Sequence, residues 1–348
     1  FARINWTTVI LDEAQKAKNP ASQIARVVRT LQARFRLAMS GTPVENSLKE
    51  FWTLYDWAVP GLLGSLREFA DTYIKPVAEA EHGRRRELSQ QLQGLVGPVF
   101  VRRMKRDILS DKLPSITYRS CPVPLSTEQE AAYSSVIKLK PSGPKGTLGA
   151  LIKLFGICAH PDLDQPEGAL PLFDDNPFPK AAKLFSLLED VHAAGEKAIV
   201  FANRRLLQRW LADEVERRFN VSVSIINGQV NESKARIQRI KRFSEQPGFG
   251  VIVLAPRAAG LGLNITAANH VFHYTREWNP AIENQATDRA YRIGQERPVT
   301  VYTLTTTSSA GKTVEERLDD LLTEKRQLMQ DFVVPMGGFD VRQEDILN

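Results

Sequence analysis

Two rhythms of apolar residues alternate along this chain: short runs rich in β-branched residues, and positions spaced three and four apart. Residues 6–11 and the stretch "FRLAMS" (35–40) predict strands, with a helix between them. Ser47 followed by Glu50 makes a capping box ahead of Phe51, Trp52, Leu54, Tyr55 and Ala58, and Pro60-Gly61 stops that helix. Residues 65–110 read as helical and strongly charged, ending in "RRMKRD". Residues 111–180, with "PSGPKG" and "DQPEGALPLFDDNPFP", are expected to be irregular, as a linker or an insertion. After Lys180 the rhythm tightens. "AAKLFSLLEDVHAA" predicts a helix closed by Gly195, and "RLLQRWLADEVERRF", "ESKARIQRIKRFSE" and "PAIENQATDRAYR" predict three more. Between them "KAIVF", "VSVSII", "GVIVLA", "HVFHY" and "VTVYTL" predict buried strands, and 313–332 a long helix with a polar face. Short buried strands alternating with helices make a parallel sheet covered on both faces.

Composition narrows this picture only slightly. A length of 348 residues suits about two domains, and 43% hydrophobic with 25% charged residues is an ordinary globular balance. No apolar stretch reaches the length of a membrane span, so no membrane role is expected. Two cysteines, Cys121 and Cys158, cannot make a disulfide framework, and a reducing compartment is expected. The net charge is +6, with 29 Arg against 17 Lys. Planar guanidinium groups grip phosphate, so the bias suits nucleic acid or nucleotide; a GC-rich genome explains it equally well. The first residue is Phe1, from which a piece of a longer protein is expected, with a processed N-terminus as the alternative.

Chemistry enters at Asp12 and Glu13, which follow the first apolar run. Open α/β sheets bind ligands at the carboxyl ends of their strands. There one carboxylate can hold Mg²⁺ through water, and its neighbour can deprotonate an attacking water. Acids that merely suit a helix N-terminus are the plainer structural alternative. A nucleotide site also needs a glycine-rich phosphate loop, G-x-x-x-x-G-K-[ST]. The nearest match, "TTSSAGKT" (306–313), has Thr306 where the first Gly belongs, and reads as a polar turn with a helix start. The chain therefore carries no usable phosphate loop, as expected of a protein cut just before Phe1. His270 and His273 would point to opposite faces of a strand, and Cys158 and His160 read as core and turn residues, so no other metal is assigned.

Three further stretches carry a family resemblance: "SGTP" (Ser40–Pro43), "APRAAGLGLNIT" (255–266) and "WNPAIENQATDRAYRIGQ" (278–295). In this order and at these separations the chain resembles helicase superfamily 2, and within it the Swi/Snf-type DNA-dependent ATPases. "FWTLYDWAVPGLLGSLREF" looks like that family's helical protrusion and "ICAHP" like its post-linker segment. The resemblance implies an α/β fold. Residues 1–115 would be the end of a truncated first RecA-like lobe with its protrusion, and 116–179 a linker or insertion. Residues 180–348 would be a complete second lobe with a parallel sheet and a C-terminal helix bracing one lobe against the other. It makes Asp12 the Mg²⁺ residue and Glu13 the general base of a Walker B motif. Gln15, where the family more often has His, would couple nucleotide state to Ser40 and Thr42 of motif III. Arg289 and Arg292 match the motif VI arginines. Guanidinium groups there neutralise charge on the transferred phosphoryl group, an effect worth roughly 10³–10⁵ in rate. The i, i+3 spacing predicts both on one helix face, with Gln285 a turn behind.

In the motif V loop, Gly260 and Gly262 would form an anion nest that touches nucleotide and nucleic acid, with Arg257 and Asn264 beside it. Ala255, Pro256 and Ala259 depart from the family pattern, which implies fewer phosphate contacts there and more weight on Arg257. Asn203 and Arg204 match motif IV, Arg236 lies on the following helix, and Trp278 falls where the family places strand contacts. Lys105 and Arg106 belong to a basic cluster that would line a DNA channel; a solvated face is the alternative. By this resemblance ATP would sit between the lobes, and their opening and closing would move the intact protein along double-stranded DNA. The piece alone is expected to hydrolyse little or no ATP. A protein–DNA complex is the candidate substrate, and a monomer is expected, cytoplasmic in a prokaryote or nuclear in a eukaryote. The rival readings are a strand-separating helicase and a non-catalytic nucleic-acid-binding module.

Overall fold

The computed structural model describes residues 3–331 apart from 18, 20–21, 42–47, 80–81, 102–108, 110, 140–142, 164–177, 230–232 and 261–262. The chain divides into two compact units. One is built on residues up to 102 and includes the end of the last helix from 321; the other spans 103 to 320.

In the first unit β1 (Asn5–Leu11) pairs in parallel with β2 (Gln32–Ala38), Val9 facing Arg36 and Leu11 facing Ala38. The connection is α1 (Gln23–Arg29), capped by Ser22, whose hydroxyl accepts the Ala25 N–H. The helical part follows: α2 (Leu48–Ala58), α3 (Leu66–Phe69), a π turn at Ala70–Ile74, α4 (Lys75–Glu79) and α5 (His82–Val96). Leu48, Phe51, Tyr55, Phe69, Leu88 and Leu92 bury together, which is the helix-spaced pattern of the sequence closing on itself. Helix α2 stops where expected, with Gly61 at φ +84° in the turn behind it. The capping box assigned to Ser47 lies outside the described residues.

In the second unit six parallel strands lie in the order β3-β8-β7-β4-β6-β5. In chain order its elements are β3 (Ile116–Pro124), α6 (Thr127–Lys138), α7 (Gly143–Ala159), α8 (Pro179–Ala193), β4 (Lys197–Phe201) and α9 (Arg205–Phe219). There follow β5 (Ser224–Ile226), α10 (Ser233–Glu245), β6 (Gly250–Leu254), β7 (His270–His273), α11 (Pro280–Thr287), β8 (Val299–Thr307) and α12 (Val314–Asp331). Successive strand residues feed opposite cores. Val200 packs with Leu188, Trp210 and Phe272 on one face; Ile199 packs with Phe243, Ile252 and Val271 on the other. That is why these strands read as unbroken apolar runs. The chain leaves β4 for the β5 side of the sheet and leaves β7 for the β8 side. The loops after β4, β6 and β7 thus surround a topological switch point, where α/β sheets bind ligands.

Two expectations fail here. The described residues between 111 and 163 are not an irregular linker: they supply the edge strand β3 and the helices α6 and α7, while most of "DQPEGALPLFDDNPFP" lies outside the described residues. Pro122 and Pro124 made β3 unreadable as a strand, yet an edge strand tolerates proline. The glycines of α7 hid an apolar stripe in which Leu151, Leu154 and Cys158 are fully buried. The run 221–226 narrows to three paired residues in β5.

A buried polar knot holds the second unit together. Lys180 on α8 donates to both carboxylate oxygens of Glu315 on α12, at 2.6 and 2.8 Å, and both side chains are 1% exposed. Glu315 also accepts the Thr306 N–H and hydroxyl at 2.7 and 2.8 Å. The ammonium lies 5.3 Å from the centre of the Tyr274 ring, whose hydroxyl donates to the Ala159 carbonyl. The knot thereby joins α7, α8, β8 and α12 to the end of β7. Removing one member of a buried ion pair costs about 3–5 kcal/mol, whereas an apolar pair of similar volume costs little or nothing. Lys180→Met is therefore expected to lower stability by that amount in urea denaturation followed by tryptophan fluorescence. The double substitution Lys180→Met, Glu315→Leu should recover most of the loss.

Candidate functional site

The first unit places its acids at a stitched strand end. The Met39 N–H donates to the Leu11 carbonyl at 2.8 Å, and the Ala14 N–H to the Met39 carbonyl at 2.9 Å, so the segments leaving β1 and β2 run together. Glu13 sits in the left-handed region at φ 52°, which costs a non-glycine residue about 1–2 kcal/mol. Its amide donates to Asp12 Oδ1 at 2.9 Å. Gln15, buried, donates from Nε2 to Glu13 Oε2, and its Oε1 accepts the Ser40 hydroxyl at 2.7 Å. A relay Ser40–Gln15–Glu13 therefore runs from the β2 end to the acid. Glutamine can bridge in this way because its amide both donates and accepts. Asp12 is exposed, and a carboxylate at a strand's carboxyl end suits a hard cation such as Mg²⁺. Thr42 lies outside the described residues.

In the second unit Asn279 caps α11 by accepting the Ala281 N–H at 2.9 Å, with Pro280 first in the helix. The helix stops at Thr287, so Arg289 and Arg292 do not share a helix face. The cause is tertiary: the Arg289 carbonyl accepts the Ile265 N–H at 2.9 Å instead of continuing the helix. The two guanidinium groups nevertheless meet. Arg289 Nη1 and Arg292 Nη1 both donate to the Leu263 carbonyl, at 3.4 and 3.5 Å, and Arg289 Nε donates to the Gln285 carbonyl at 3.2 Å. Gln295 ties the same two segments: its buried Nε2 donates to the carbonyls of Thr266, Ala268 and Ala290 at 3.1, 2.8 and 3.1 Å.

Of the residues assigned to nucleic acid, Asn203, Arg204, Arg257, Asn264 and Trp278 fall around the loops at the switch point. Asn203 donates to the Arg276 carbonyl at 3.1 Å, and Arg204 to the Ile152 carbonyl of α7 at 3.0 Å. The Trp278 ring meets Phe155 of α7 edge-on at 5.1 Å. Arg257 projects from the 3-10 turn Pro256–Gly260 with its Nε 3.8 Å from Glu277 Oε2. Asn264 is exposed beside Leu263, and Gly260 ends the 3-10 turn. Arg236 is nearly buried on α10, a poor position for gripping phosphate. Gly262, Lys105 and Arg106 lie outside the described residues.

The pattern of the sequence did not single out Arg276, Glu277, Glu283, Gln295 or Asp319. Arg276 is buried and fork-paired, Nε and Nη2 on Glu283 at 2.8 and 3.3 Å, Nη1 on Asp319 of α12 at 2.6 Å. Burial works against the Glu283 carboxylate, yet Arg276 outweighs it and holds the acid below the usual range. Glu277 has no such fork, and burial pushes it up to about 7.

Comparison with known proteins bears on this geometry. The family model described as the SNF2-related domain matches residues 1–163, and that of the helicase conserved C-terminal domain matches 179–294. The Zorya protein ZorD of Escherichia coli is 42% identical over 350 residues, which cover 96% of this chain and 32% of that protein. The DNA excision repair protein ERCC-6 of Homo sapiens is 31% identical over 91% of this chain and 23% of its own length. The SWI2/SNF2 ATPase core of Sulfolobus solfataricus, solved in complex with dsDNA, is 31% identical; the match covers 95% of this chain and 69% of that one, with a TM-score of 0.53. The chain belongs to the SWI2/SNF2 ATPase family.

This SWI2/SNF2 chain spans about a third of the length of ZorD. Within it, Gln295 closes the "WNPAIENQATDRAYRIGQ" stretch that helps carry the resemblance, and its role is mechanical. The amide nitrogen shares its two hydrogens among three carbonyls; that of Ala290 also accepts the Arg292 N–H, so the loss falls on the Thr266 and Ala268 carbonyls, at about 1–3 kcal/mol. Gln295→Ala is expected to lower stability by that amount in denaturant titration, and a change inside ±0.5 kcal/mol would show the amide to be dispensable.

Proposed function

We propose that this chain supplies both half-sites of an ATP-dependent motor that moves along double-stranded DNA. The observation that carries the reading is the meeting of Arg289 and Arg292 at the Leu263 carbonyl. It ties the loop after β6, which would feel the nucleic-acid backbone, to the arginines that would meet the γ-phosphate. The relatives support the rest: one was solved with dsDNA, and ERCC-6 is by name a DNA excision repair protein.

In this reading ATP is the nucleotide, and Asp12 would hold Mg²⁺, which when bound neutralises phosphate charge. Glu13 takes the proton of the attacking water. Gln15, bonded to that same carboxylate, passes a change at Glu13 to the Ser40 hydroxyl and so to the end of β2. Arg289 and Arg292 neutralise charge on the transferred phosphoryl group. Asn203, Arg204, Arg257, Asn264 and Trp278 face the duplex; contacts of this kind go mainly to phosphate and make binding sequence-tolerant and salt-sensitive. The 348 residues contain no G-x-x-x-x-G-K-[ST] loop, so turnover requires a polypeptide in which this chain is joined to one. The test is DNA-stimulated ATP hydrolysis by such a polypeptide carrying Glu13→Gln. Loss of the general base should lower kcat by about 10²–10⁴ while duplex binding is retained. Undiminished stimulation would remove Glu13 from the chemistry.

A further inference from the structure

Two acids on one segment of the second unit are buried, and only one is fully compensated. Glu283 is forked by Arg276. Glu277 is 4% exposed, and among the described residues its one ion-pair partner is Arg257, at 3.8 Å. Arg257 is itself 75% exposed, on the 3-10 turn after β6. The pair is thus asymmetric: a carboxylate that cannot leave, and a guanidinium that can.

We infer that Glu277 is the positioning residue of Arg257: it holds the guanidinium at the mouth of the loop until a nucleic-acid phosphate takes it, and the carboxylate then binds a proton from solvent. The inference rests on the reading above that Arg257 meets the DNA backbone. The phosphate replaces the carboxylate as counter-ion, so one positive charge, the guanidinium, leaves the buried carboxylate for each proton that enters. A buried carboxylate stripped of its cation is strongly disfavoured. The other charged groups near it do not replace Arg257. Arg276 is committed to Glu283 and to Asp319 of α12; Glu283 raises the affinity of Glu277 for a proton; His273 of β7 bonds Thr287. Burial already pushes Glu277 up to about 7 with Arg257 in place, so withdrawing Arg257 moves it higher still. The sign follows. Between those two values binding takes up a proton, and affinity for DNA rises as pH falls.

The test is binding of a fluorescent 25-base-pair duplex to the 348-residue chain at constant ionic strength from pH 8.5 to 6.5, read by anisotropy. The wild type should tighten by up to about tenfold, which corresponds to one pKa unit. Glu277→Gln should bind at pH 8.5 as tightly as the wild type at pH 6.5, with a flat profile. Arg257→Gln, at an exposed position that spares the fold, should also be flat, should lower the salt slope by about one, and should cancel any effect of Glu277→Gln in the double variant. A flat wild-type profile, an unchanged slope in Glu277→Gln, or weaker binding by Glu277→Gln at every pH overturns the inference and leaves the DNA reading intact. No duplex binding even at low salt overturns both.

Discussion

One backbone carbonyl gathers the paired arginines of the second unit. The Leu263 oxygen accepts from Arg289 and Arg292 together, and so fixes two cations at the place where the loop after β6 meets the turn after α11. Like charges repel, and two guanidinium groups stay close only where oriented dipoles offset them. The bonds are long, and a guanidinium has five N–H donors, so Arg292 holds its direction while committing one of them to Leu263. Gln295 and the Ile265–Arg289 backbone bond make the carbonyl's position rigid. A site preorganised in this way loses little when charge develops on a substrate.

At the strand ends of the first unit, backbone strain and a hydrogen-bond relay meet instead. Glu13 accepts a left-handed backbone that most residues avoid, and Gln15 and Ser40 then bond in series from its carboxylate. Backbone strain of this kind persists only where the surroundings over-determine it, and it clusters at functional positions. Here the surroundings are the two bonds that stitch the ends of β1 and β2. A change of charge or ligand at Glu13 therefore has a short physical route to the second strand.

Much of this was legible in the sequence, for physical reasons. Strands buried on both faces must be apolar throughout, so "KAIVF" and "GVIVL" declared themselves. Gly195, at φ +65°, closed α8 as a glycine should. Local rules failed wherever a distant partner decided the outcome. The helix expected to carry both arginines stops at Thr287 because Ile265 takes the Arg289 carbonyl. The pairing of Lys180 with Glu315 spans 135 residues, and no local pattern encodes it. Residues 116–124 look like turn material because of two prolines, yet a sheet edge accepts them. Glu277 was hidden for the opposite reason: a single acid between Arg276 and Trp278 looks like surface charge until burial isolates it.

Membership of the SWI2/SNF2 ATPase family explains why these parts occur together. A motor built on these parts requires Arg292 to act on the transferred phosphoryl group rather than on folding or DNA binding. The decisive measurement is single-turnover ATP cleavage at saturating duplex by a polypeptide in which this chain is continuous with a phosphate loop, with Arg292→Lys compared to the parent. A lysine keeps the charge but loses the planar fork. The cleavage rate should fall by about 10² or more, with nucleotide and duplex affinities within a few-fold of the parent. Cleavage at the parental rate would remove Arg292 from the chemistry.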